Sequence, residues 1–214
     1  MAPNIEGAGL CGGGTATQNR ISLKGSVKIV TEFFNYAVNS ILYQRGIYAP
    51  EDFKRTKKYG LSMMVTSDEG LTKYLSRVLT QISGWLAEGK LEKLVLVIAS
   101  VHTNEVLERW AFDIETEQDV VEGKKSVEKP EKEIMSEIQA IIRQITASVT
   151  FLPLLSDPCA FDLLVYTKKD TSAPQEWEDS DPRYIINSES VKLRSFTTKV
   201  HKVDTMVSYK LLDE

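Results

Sequence analysis

Apolar residues recur with the spacing of an α-helix in three long stretches of the chain. The first stretch spans residues 21–45, the second follows Ser67, which we expect to cap it, and the third follows Pro130. Their apolar positions are, in chain order, Val27, Val30, Phe34, Ala37, Val38 and Ile41, then Leu71, Leu75, Val78, Ile82 and Leu86, then Ile134, Ile138, Ile141, Ile145 and Val149. The pattern therefore predicts three amphipathic helices.

Other stretches alternate apolar and polar residues or are continuously apolar, as β-strands are. The stretches with this pattern are 61–65, which could be a short strand, 91–99, 105–114 and 161–167. The second and third of them are joined by a short link, Ser100–Asn104, that suits a hairpin. In the fourth, Leu163, Leu164 and Val165 make the centre apolar on both sides, which predicts burial on both faces. Residues 118–130 are polar and are expected to form a mobile loop.

The last part of the chain, residues 168–214, contains no helical period. Its first half is charged and loop-like, with Trp177 as an isolated large aromatic residue. Its second half alternates and is rich in Thr and Val, which predicts a terminal hairpin with its turn near Asp204. We expect this tail to attach to the sheet at the strand 161–167, which it follows directly.

Residues 1–20 are small, polar and glycine-rich. A phosphate-binding loop would need a preceding strand and a Gly-Lys-Ser/Thr ending, and the stretch around Gly12–Gly14 has neither. We therefore expect these residues to form a flexible N-terminal tail.

Composition narrows the class of protein. A chain of 214 residues with 42% hydrophobic and 26% charged residues suits one compact globular domain with an appendage. The net charge of -4 gives no reason to expect nucleic acid as a partner, and no apolar run approaches the roughly 20 residues of a membrane span. The two cysteines are Cys11, in the predicted tail, and Cys159, which argues against a structural disulfide and favours a reducing compartment.

The sequence offers few signs of catalytic chemistry. His102 and His201 are far apart, and neither has the spacing of a metal site, so no metal or cofactor is expected. No Gly-x-Ser-x-Gly elbow is present, and the paired carboxylates lie in predicted caps or loops. An enzyme whose site assembles from dispersed residues stays possible, and it would need carboxylates and histidines clustered in a pocket.

Two surface features can be interpreted either as ordinary exposed surface or as functional surface. The basic run Lys54, Arg55, Lys57 and Lys58 is expected to be a solvated face. Arg143 and Gln144 lie beside small residues, away from the isoleucine seam of the third helix, so this face is either ordinary exposed surface or a contact surface.

Several long blocks, spread over about residues 21–212, resemble the HORMA-domain proteins of the spindle assembly checkpoint, the second mitotic-arrest-deficient protein family. The blocks are Phe33–Phe34, Asn39–Tyr48, Val106–Trp110, Ile142–Leu155, Leu193–Thr198 and His201–Val203. The chain departs from the family before Ile21, by one extra residue near Ala49, and at residues 118–128. None of these departures falls in a block that carries function.

The resemblance implies an α+β HORMA fold over residues 21–214, with three helices packed on a mostly antiparallel sheet. It also implies a mobile C-terminal safety belt, residues 168–214, which here includes Arg194, Phe196 and His201. In the closed state of the family the belt crosses the sheet and pairs at its far side, and a partner peptide adds as a strand beside 161–167. In the open state the belt covers that same edge and excludes the peptide.

The resemblance further implies a non-enzymatic switch that delays anaphase. Its partners would be the checkpoint scaffold at unattached kinetochores, the activator subunit of the anaphase-promoting complex, and a remodelling AAA+ ATPase with its adaptor, in the nucleus, kinetochore and cytoplasm. Open and closed copies would dimerise through Arg143 and Gln144 of the third helix. A related role as adaptor in translesion synthesis or on the meiotic chromosome axis is the alternative. From edge position and aromatic character, the expected peptide-binding residues are Trp85, Phe161, Leu163, Leu164, Val165, Tyr166 and Trp177.

Overall fold

The computed structural model describes residues 20–211. Its helices are α1 (Leu23–Gln44), α2 (Glu69–Ala87), α3 (Gln118–Val121) and α4 (Glu131–Ala147), with short 3₁₀ turns at Pro50–Asp52 and Ser148–Thr150. Its strands are β1 (Arg20–Ile21), β2 (Phe53–Lys58), β3 (Leu61–Thr66), β4 (Leu91–Ser100), β5 (Val106–Thr116), β6 (Val127–Glu128), β7 (Cys159–Thr167), β8 (Ser188–Thr197) and β9 (His201–Lys210). The tail predicted for residues 1–20 lies outside the described residues, apart from Arg20.

A five-stranded antiparallel sheet with the order β7-β4-β5-β9-β8 forms the centre of the fold. The strands β8 and β9 form the predicted terminal hairpin, and β9 pairs with β5 from His201 to Tyr209. The hairpin therefore occupies one edge of the sheet, while β7, from which the tail departs, occupies the opposite edge. Two short antiparallel pairs, β1 with β6 and β2 with β3, lie outside this sheet.

The three long helices cover one face of the sheet through a shared apolar core. Phe33 of α1 lies at its centre, with its ring 5.8 Å from that of Phe112 of β5 and 4.8 Å from that of Phe196 of β8. Phe33, Phe112 and Phe196 are at most 1% exposed. Because Phe196 belongs to the tail, the terminal hairpin is an integral part of the core rather than an accessory to it.

A buried charged network joins the end of α1 to the sheet. Arg45 donates from Nε to Oε1 of Glu108 at 2.7 Å and from Nη2 to the carbonyl oxygen of Pro153 at 2.5 Å. Trp110 donates from Nε1 to the other carboxylate oxygen of Glu108 at 3.1 Å. Burial raises the pKa of Glu108, and the Arg45 guanidinium opposes that rise. The network fixes the positions of α1, β5 and the connection from α4 to β7 relative to one another.

The helix predictions are confirmed in their extent, with two corrections at the ends. The N-cap of α2 is Asp68 rather than Ser67, since the Asp68 carboxylate accepts the backbone N–H of Leu71 at 2.6 Å. Both residue types cap well, and a carboxylate also interacts favourably with the helix dipole. Val149 does not continue the isoleucine seam, because α4 ends at Ala147 and Val149 lies 40% exposed in the following 3₁₀ turn.

The polar stretch 118–130, predicted to be one mobile loop, contains both α3 and β6. Val120 is buried, and so is Lys129, whose Nζ donates to Glu137 Oε1 at 2.6 Å and to the carbonyl oxygen of Thr197 at 2.9 Å. The prediction was wrong because elements of two to four residues are too short to show a period. Residues 20–211 therefore contain a fourth, very short helix besides the three predicted ones.

The turn of the terminal hairpin lies at residues 198–200, not at Asp204, which lies within β9. Lys199 adopts a left-handed φ of 70°, and Thr198 Oγ1 accepts the backbone N–H groups of Val200 and His201. This turn contains none of the glycine, proline or asparagine that usually marks one, so its position could not be read from composition.

The remaining uncertain stretch, residues 61–65, forms β3 and pairs with the basic strand β2. Lys54, Arg55 and Lys57 of β2 are exposed, as a solvated face would be, while Lys58 contacts Glu32 of α1 at 2.7 Å. The basic run is therefore mostly surface.

Candidate functional site

The strand β7 presents a free edge. It pairs with β4 over nine residues on one side, and on its other side it is the outermost strand of the sheet within residues 20–211. Along that side, N–H and C=O groups of alternate residues point outward, as they do at any sheet edge. Such a row of backbone donors and acceptors can pair with one further strand.

The side chains of β7 are half-exposed on both faces of the sheet. Phe161, Leu163 and Val165 pack towards the helices, whereas Leu164 and Tyr166 pack on the outer face against Val95, Val97 and Ala111. The burial predicted on both faces is only partial, because an edge strand has neighbouring side chains on one flank only. The apolar strip that remains exposed is the one that an added strand would cover.

On the helical side of β7, Trp177 from the tail packs on α2. Its ring lies 5.0 Å from that of Trp85 in a T-shaped arrangement, and Trp85 is 4% exposed. A cavity of about 300 Å³ lies beside this pair, lined by Leu163 of β7 with Tyr74, Arg77, Val78, Glu176, Trp177 and Glu178. Trp177, isolated in the sequence, is thus one wall of a recess of mixed polarity at the edge of the sheet.

The strap, which we define as residues 168–187 between β7 and β8, runs around the edge of β7. It begins next to the start of β4, where Lys168 N–H donates to the Lys90 carbonyl oxygen. It reaches the helical side of the sheet at Trp177. Pro182 and Tyr184 then lie on the outer face, in contact with Arg109 of β5. Between residues 177 and 182 the chain must therefore pass outside β7, so the free edge faces the inner side of the strap.

Two arginines hold the strap on the outer face. Arg183 donates from Nη1 to Asp162 Oδ2 of β7 at 2.5 Å and from Nη2 to Asn104 Oδ1 of the β4–β5 turn at 2.9 Å. Arg109, 8% exposed, donates from Nε to the Pro182 carbonyl oxygen at 3.2 Å. Its Nη2 donates to the Tyr166 hydroxyl at 3.1 Å.

These contacts were missed from the sequence. Isolated charged residues in loops carry no period and no motif, and their partners are distant along the chain. The only available signal was the alternation of β5, which places Arg109 on the same face as Ala111, opposite the helices.

The terminal hairpin is fixed to the helical layer by His201, which is fully buried at the first position of β9. Its Nε2 lies 3.2 Å from the Leu86 carbonyl oxygen, which can only accept, so Nε2 carries the proton. Its Nδ1 then accepts from Ser26 Oγ at 2.7 Å, and that oxygen lies 2.5 Å from Thr198 Oγ1. Burial lowers the pKa of His201 to about 4.

The two other predicted belt residues divide between core and surface. Phe196 is buried against Phe33, whereas the side chain of Arg194 is exposed. The backbone N–H of Arg194 donates to Gln144 Oε1 of α4 at 2.6 Å. Gln144 therefore connects α4 to the terminal hairpin.

Arg143 is exposed on α4 and lines a cavity of about 290 Å³ between α1, β3 and α4. The residues of this cavity include Tyr43, Met63, Met64 and Ile142. Nothing in a single chain tests whether Arg143 and Gln144 meet a second copy, so the dimer contact stays a prediction.

Over residues 20–211, the structure groups no three His, Cys, Asp or Glu side chains in a way that could hold a metal ion. His102 lies exposed in the β4–β5 turn, and His201 has hydroxyl and carbonyl partners. Among the same residues, none of the helices combines the length and apolarity of a membrane span.

Comparison with known proteins places this geometry in a family. The family model described as HORMA domain matches residues 26–201. The chain belongs to the HORMA domain family. The family prediction is thus confirmed, while the exact domain boundaries at residues 21 and 214 stay predictions.

Similar proteins of this HORMA family carry checkpoint names. The chain is 61% identical over 199 residues to "Mitotic spindle assembly checkpoint protein MAD2A" of Dictyostelium discoideum, covering 93% of this chain and 98% of that protein. It is 54% identical over 191 residues to the Homo sapiens protein of the same name, covering 89% and 93%. A chain in "Crystal Structure of Mitotic Checkpoint Complex" superposes with a TM-score of 0.80 at 49% identity, covering 87% of this chain and 99% of that one.

The strand order of this HORMA domain corresponds to the closed arrangement described for the family. The hairpin pairs with β5, across the sheet from β7, and the edge of β7 is left for a partner strand. In the open arrangement the same hairpin would cover β7 instead. The sequence did not distinguish the two arrangements, because alternating Thr- and Val-rich segments can pair at either edge.

Proposed function

We propose that this HORMA protein is a spindle assembly checkpoint switch that traps a partner peptide under its C-terminal belt and inhibits the anaphase-promoting complex through the activator subunit. The observation that carries the proposal is the path of the strap around the free edge of β7. The checkpoint names of relatives 54–61% identical to this chain support the same assignment.

The physics of strand addition explains why a strap is useful. Each backbone hydrogen bond contributes on the order of 0.5–1.5 kcal/mol net, so a short peptide held at an open edge would bind near micromolar affinity, about -8 kcal/mol. A strap that encircles the peptide adds a topological barrier. Release then requires local unfolding of the strap or hairpin, and the gain appears in the dissociation rate.

The bound peptide would lie along the predicted residues of β7. Its backbone would pair with the strand, while its side chains would alternate between the recess beside Leu163 and Trp177 and the outer face near Leu164 and Tyr166. Trp85 would act indirectly, by packing against Trp177 and holding it in place.

We infer that the peptides come from the checkpoint scaffold at kinetochores and from the anaphase-promoting complex activator, and that an AAA+ ATPase with its adaptor resets the switch. A closed copy would pair with an open copy through Arg143 of α4. The protein would act in the nucleus, at kinetochores and in the cytoplasm.

Two other functions are less well supported. An enzyme would need carboxylates and histidines gathered in a cavity, and the recess at β7 is lined by Glu176 and Glu178 without a histidine, while His201 is hydrogen-bonded to hydroxyl and carbonyl groups. An adaptor role in translesion synthesis or on the meiotic chromosome axis would use the same edge, but the relatives matched over most of their length carry checkpoint names.

The test is a measurement of dissociation rates. Labelled peptides of about 15 residues tiling the activator subunit are incubated with the full chain, and the retained peptide becomes the probe. Chains ending at Asp204 lose six residues of β9, five of which, from Thr205 to Tyr209, pair with β5, whereas chains ending at Leu211 keep all of β9.

We expect the retained peptide to leave the full chain and the Leu211-terminated control slowly, and to leave the Asp204-terminated chain at least about a hundredfold faster. An equal dissociation rate from all three chains would show that the belt does not trap the peptide.

A further inference from the structure

We propose that Arg183 is the positioning residue that fastens the strap, and that its contacts with Asp162 and Asn104 set how long a trapped peptide stays bound. The inference rests on the proposed function and deepens it. It assigns the lifetime of the complex to a side chain in the strap itself, separately from the pairing of the terminal hairpin with β5.

The position of Arg183 is the first reason. It lies just after the strap has passed around β7 and come onto the outer face, the point where fixing the chain closes the loop around the edge. Its guanidinium spans two different elements, the Asp162 carboxylate on β7 and the Asn104 side chain in the β4–β5 turn. A planar fork of donors suits two acceptors held side by side.

The backbone around Arg183 is the second reason. Arg183 has a φ of 48°, in the left-handed region that residues with a side chain avoid. Its N–H donates to Asp181 Oδ1 at 2.8 Å, which closes a tight turn at residues 181–183. This turn directs the chain so that the Arg183 side chain reaches back to the strand that the strap encloses. Strained backbone of this kind is concentrated at functional clamps and switches.

Arg109 holds the strap from the opposite direction, since it is a sheet residue that contacts the strap. It reaches from the sheet into the strap, where it binds the Pro182 carbonyl oxygen, and its guanidinium carbon lies 4.9 Å from the centroid of the Tyr184 ring. The residues on either side of Arg183 are therefore held by β5, while Arg183 itself holds β7. Lifting the strap must break both sets of contacts together.

The solvent exposure of the Arg183–Asp162 ion pair limits how much it can slow peptide release. The Arg183 side chain is 19% exposed and that of Asp162 is 56% exposed, so water and salt screen the ion pair in part. The second acceptor, Asn104, adds a charge-assisted hydrogen bond. We expect loss of the Arg183 side chain to raise the dissociation rate of a trapped peptide about tenfold, well short of the effect of removing β9.

The experiment compares Arg183→Ala with Lys169→Ala, which removes an exposed positive charge from the same strap. The probe is the labelled activator peptide retained by the full chain. We expect about tenfold faster release from Arg183→Ala and a change within about twofold for Lys169→Ala. Asp162→Asn should raise the rate less, and adding it to Arg183→Ala should change little, because the two residues share one interaction.

Salt dependence supplies a readout that a purely structural role would not change. Raising the salt from about 50 mM to about 500 mM should speed release from the unmodified chain several-fold and release from Arg183→Ala much less. Hydrogen exchange of the amides of residues 178–187 should also quicken in the free Arg183→Ala protein, since the strap opens more often.

Equal release rates for Arg183→Ala and Lys169→Ala would overturn the proposal, even if the Asp204-terminated chain released peptide quickly and the belt function stood. Should the full chain retain none of the tiled peptides, the proposed function fails and the exchange measurement decides the fastening alone. Unchanged exchange in residues 178–187 of Arg183→Ala would then refute it.

Discussion

His201 makes the stability of this protein depend on pH, through a residue that holds the terminal hairpin in place. The ring is buried between Ser26 of α1 and Leu86 of α2, and burial lowers its pKa to about 4. The unfolded chain has an ordinary histidine pKa of about 6.5. Replacing the ring with the neutral, non-titrating side chain of His201→Gln should therefore remove a component of the pH dependence.

The magnitude follows from linkage. Between about pH 4 and pH 6.5 the unfolded chain binds a proton that the folded chain does not, so the free energy of unfolding falls as the pH falls. Each pH unit in this window contributes about 1.4 kcal/mol, and the whole window about 3 kcal/mol. From about pH 7.5 to about pH 5.5, the expected loss attributable to His201 is about 1.3 kcal/mol.

The assay is urea unfolding followed by tryptophan fluorescence at several pH values between about 7.5 and 4.5. The difference in pH dependence between the unmodified chain and His201→Gln isolates the histidine, because other titrating groups such as Glu108 are common to both. His102→Gln is the matched control, since His102 is the other of the two histidines and is exposed in a turn.

His201→Gln should be the less stable protein at about pH 7.5, where its lost hydrogen bonds dominate, and the gap should narrow by about 1.3 kcal/mol at about pH 5.5. His102→Gln should follow the unmodified chain throughout. A gap between His201→Gln and the unmodified chain that stays constant with pH would refute the reasoning, because it would mean that His201 titrates alike in both states.

Three further predictions concern the surface of α4, the buried network and the strap. Arg143→Glu should abolish self-association in sedimentation velocity while peptide release stays slow, whereas Lys132→Glu, exposed at the start of the same helix, should change neither; loss of both properties in Arg143→Glu would make the residue structural. Glu108→Gln should lower the free energy of urea unfolding by about 3–5 kcal/mol, because it leaves the Arg45 guanidinium buried without its carboxylate, and a loss below about 1 kcal/mol would contradict this. Trp177→Ala removes a T-shaped pair worth about 0.5–1.5 kcal/mol beyond its buried area, so peptide release should quicken at least about threefold, and unchanged release would mean that this pair does not hold the strap.

Local pattern was sufficient for most of the helical layer and for the central hairpin. The apolar spacing of α1, α2 and α4 and the alternation of β5 depend on neighbours within a few residues, which is the range over which a period can be read. The blocks around Ile142–Leu155 and Leu193–Thr198 also identified the family, and with it the prediction of a belt.

Short elements and turns could not be predicted from local pattern. The four residues of α3 are held by contacts such as the buried Val120 side chain and the hydrogen bond from Gln118 Nε2 to the Gly89 carbonyl oxygen, and the two of β6 pair with β1, so neither element depends on a period of its own. The hairpin turn at Thr198 was likewise hidden, since a threonine hydroxyl supplies the hydrogen bonds that glycine or asparagine would usually signal.

The sequence by itself determined that the tail would be strand-forming and that β7 would be apolar on both faces. Only the tertiary structure decided which edge of the sheet each would occupy. The physical reason is that backbone pairing is nearly indifferent to the choice, whereas in the observed arrangement Phe196 is buried against α1 and His201 against α1 and α2. The contacts of Arg183, with partners 21 and 79 residues away, likewise exist only once the strap has passed around β7.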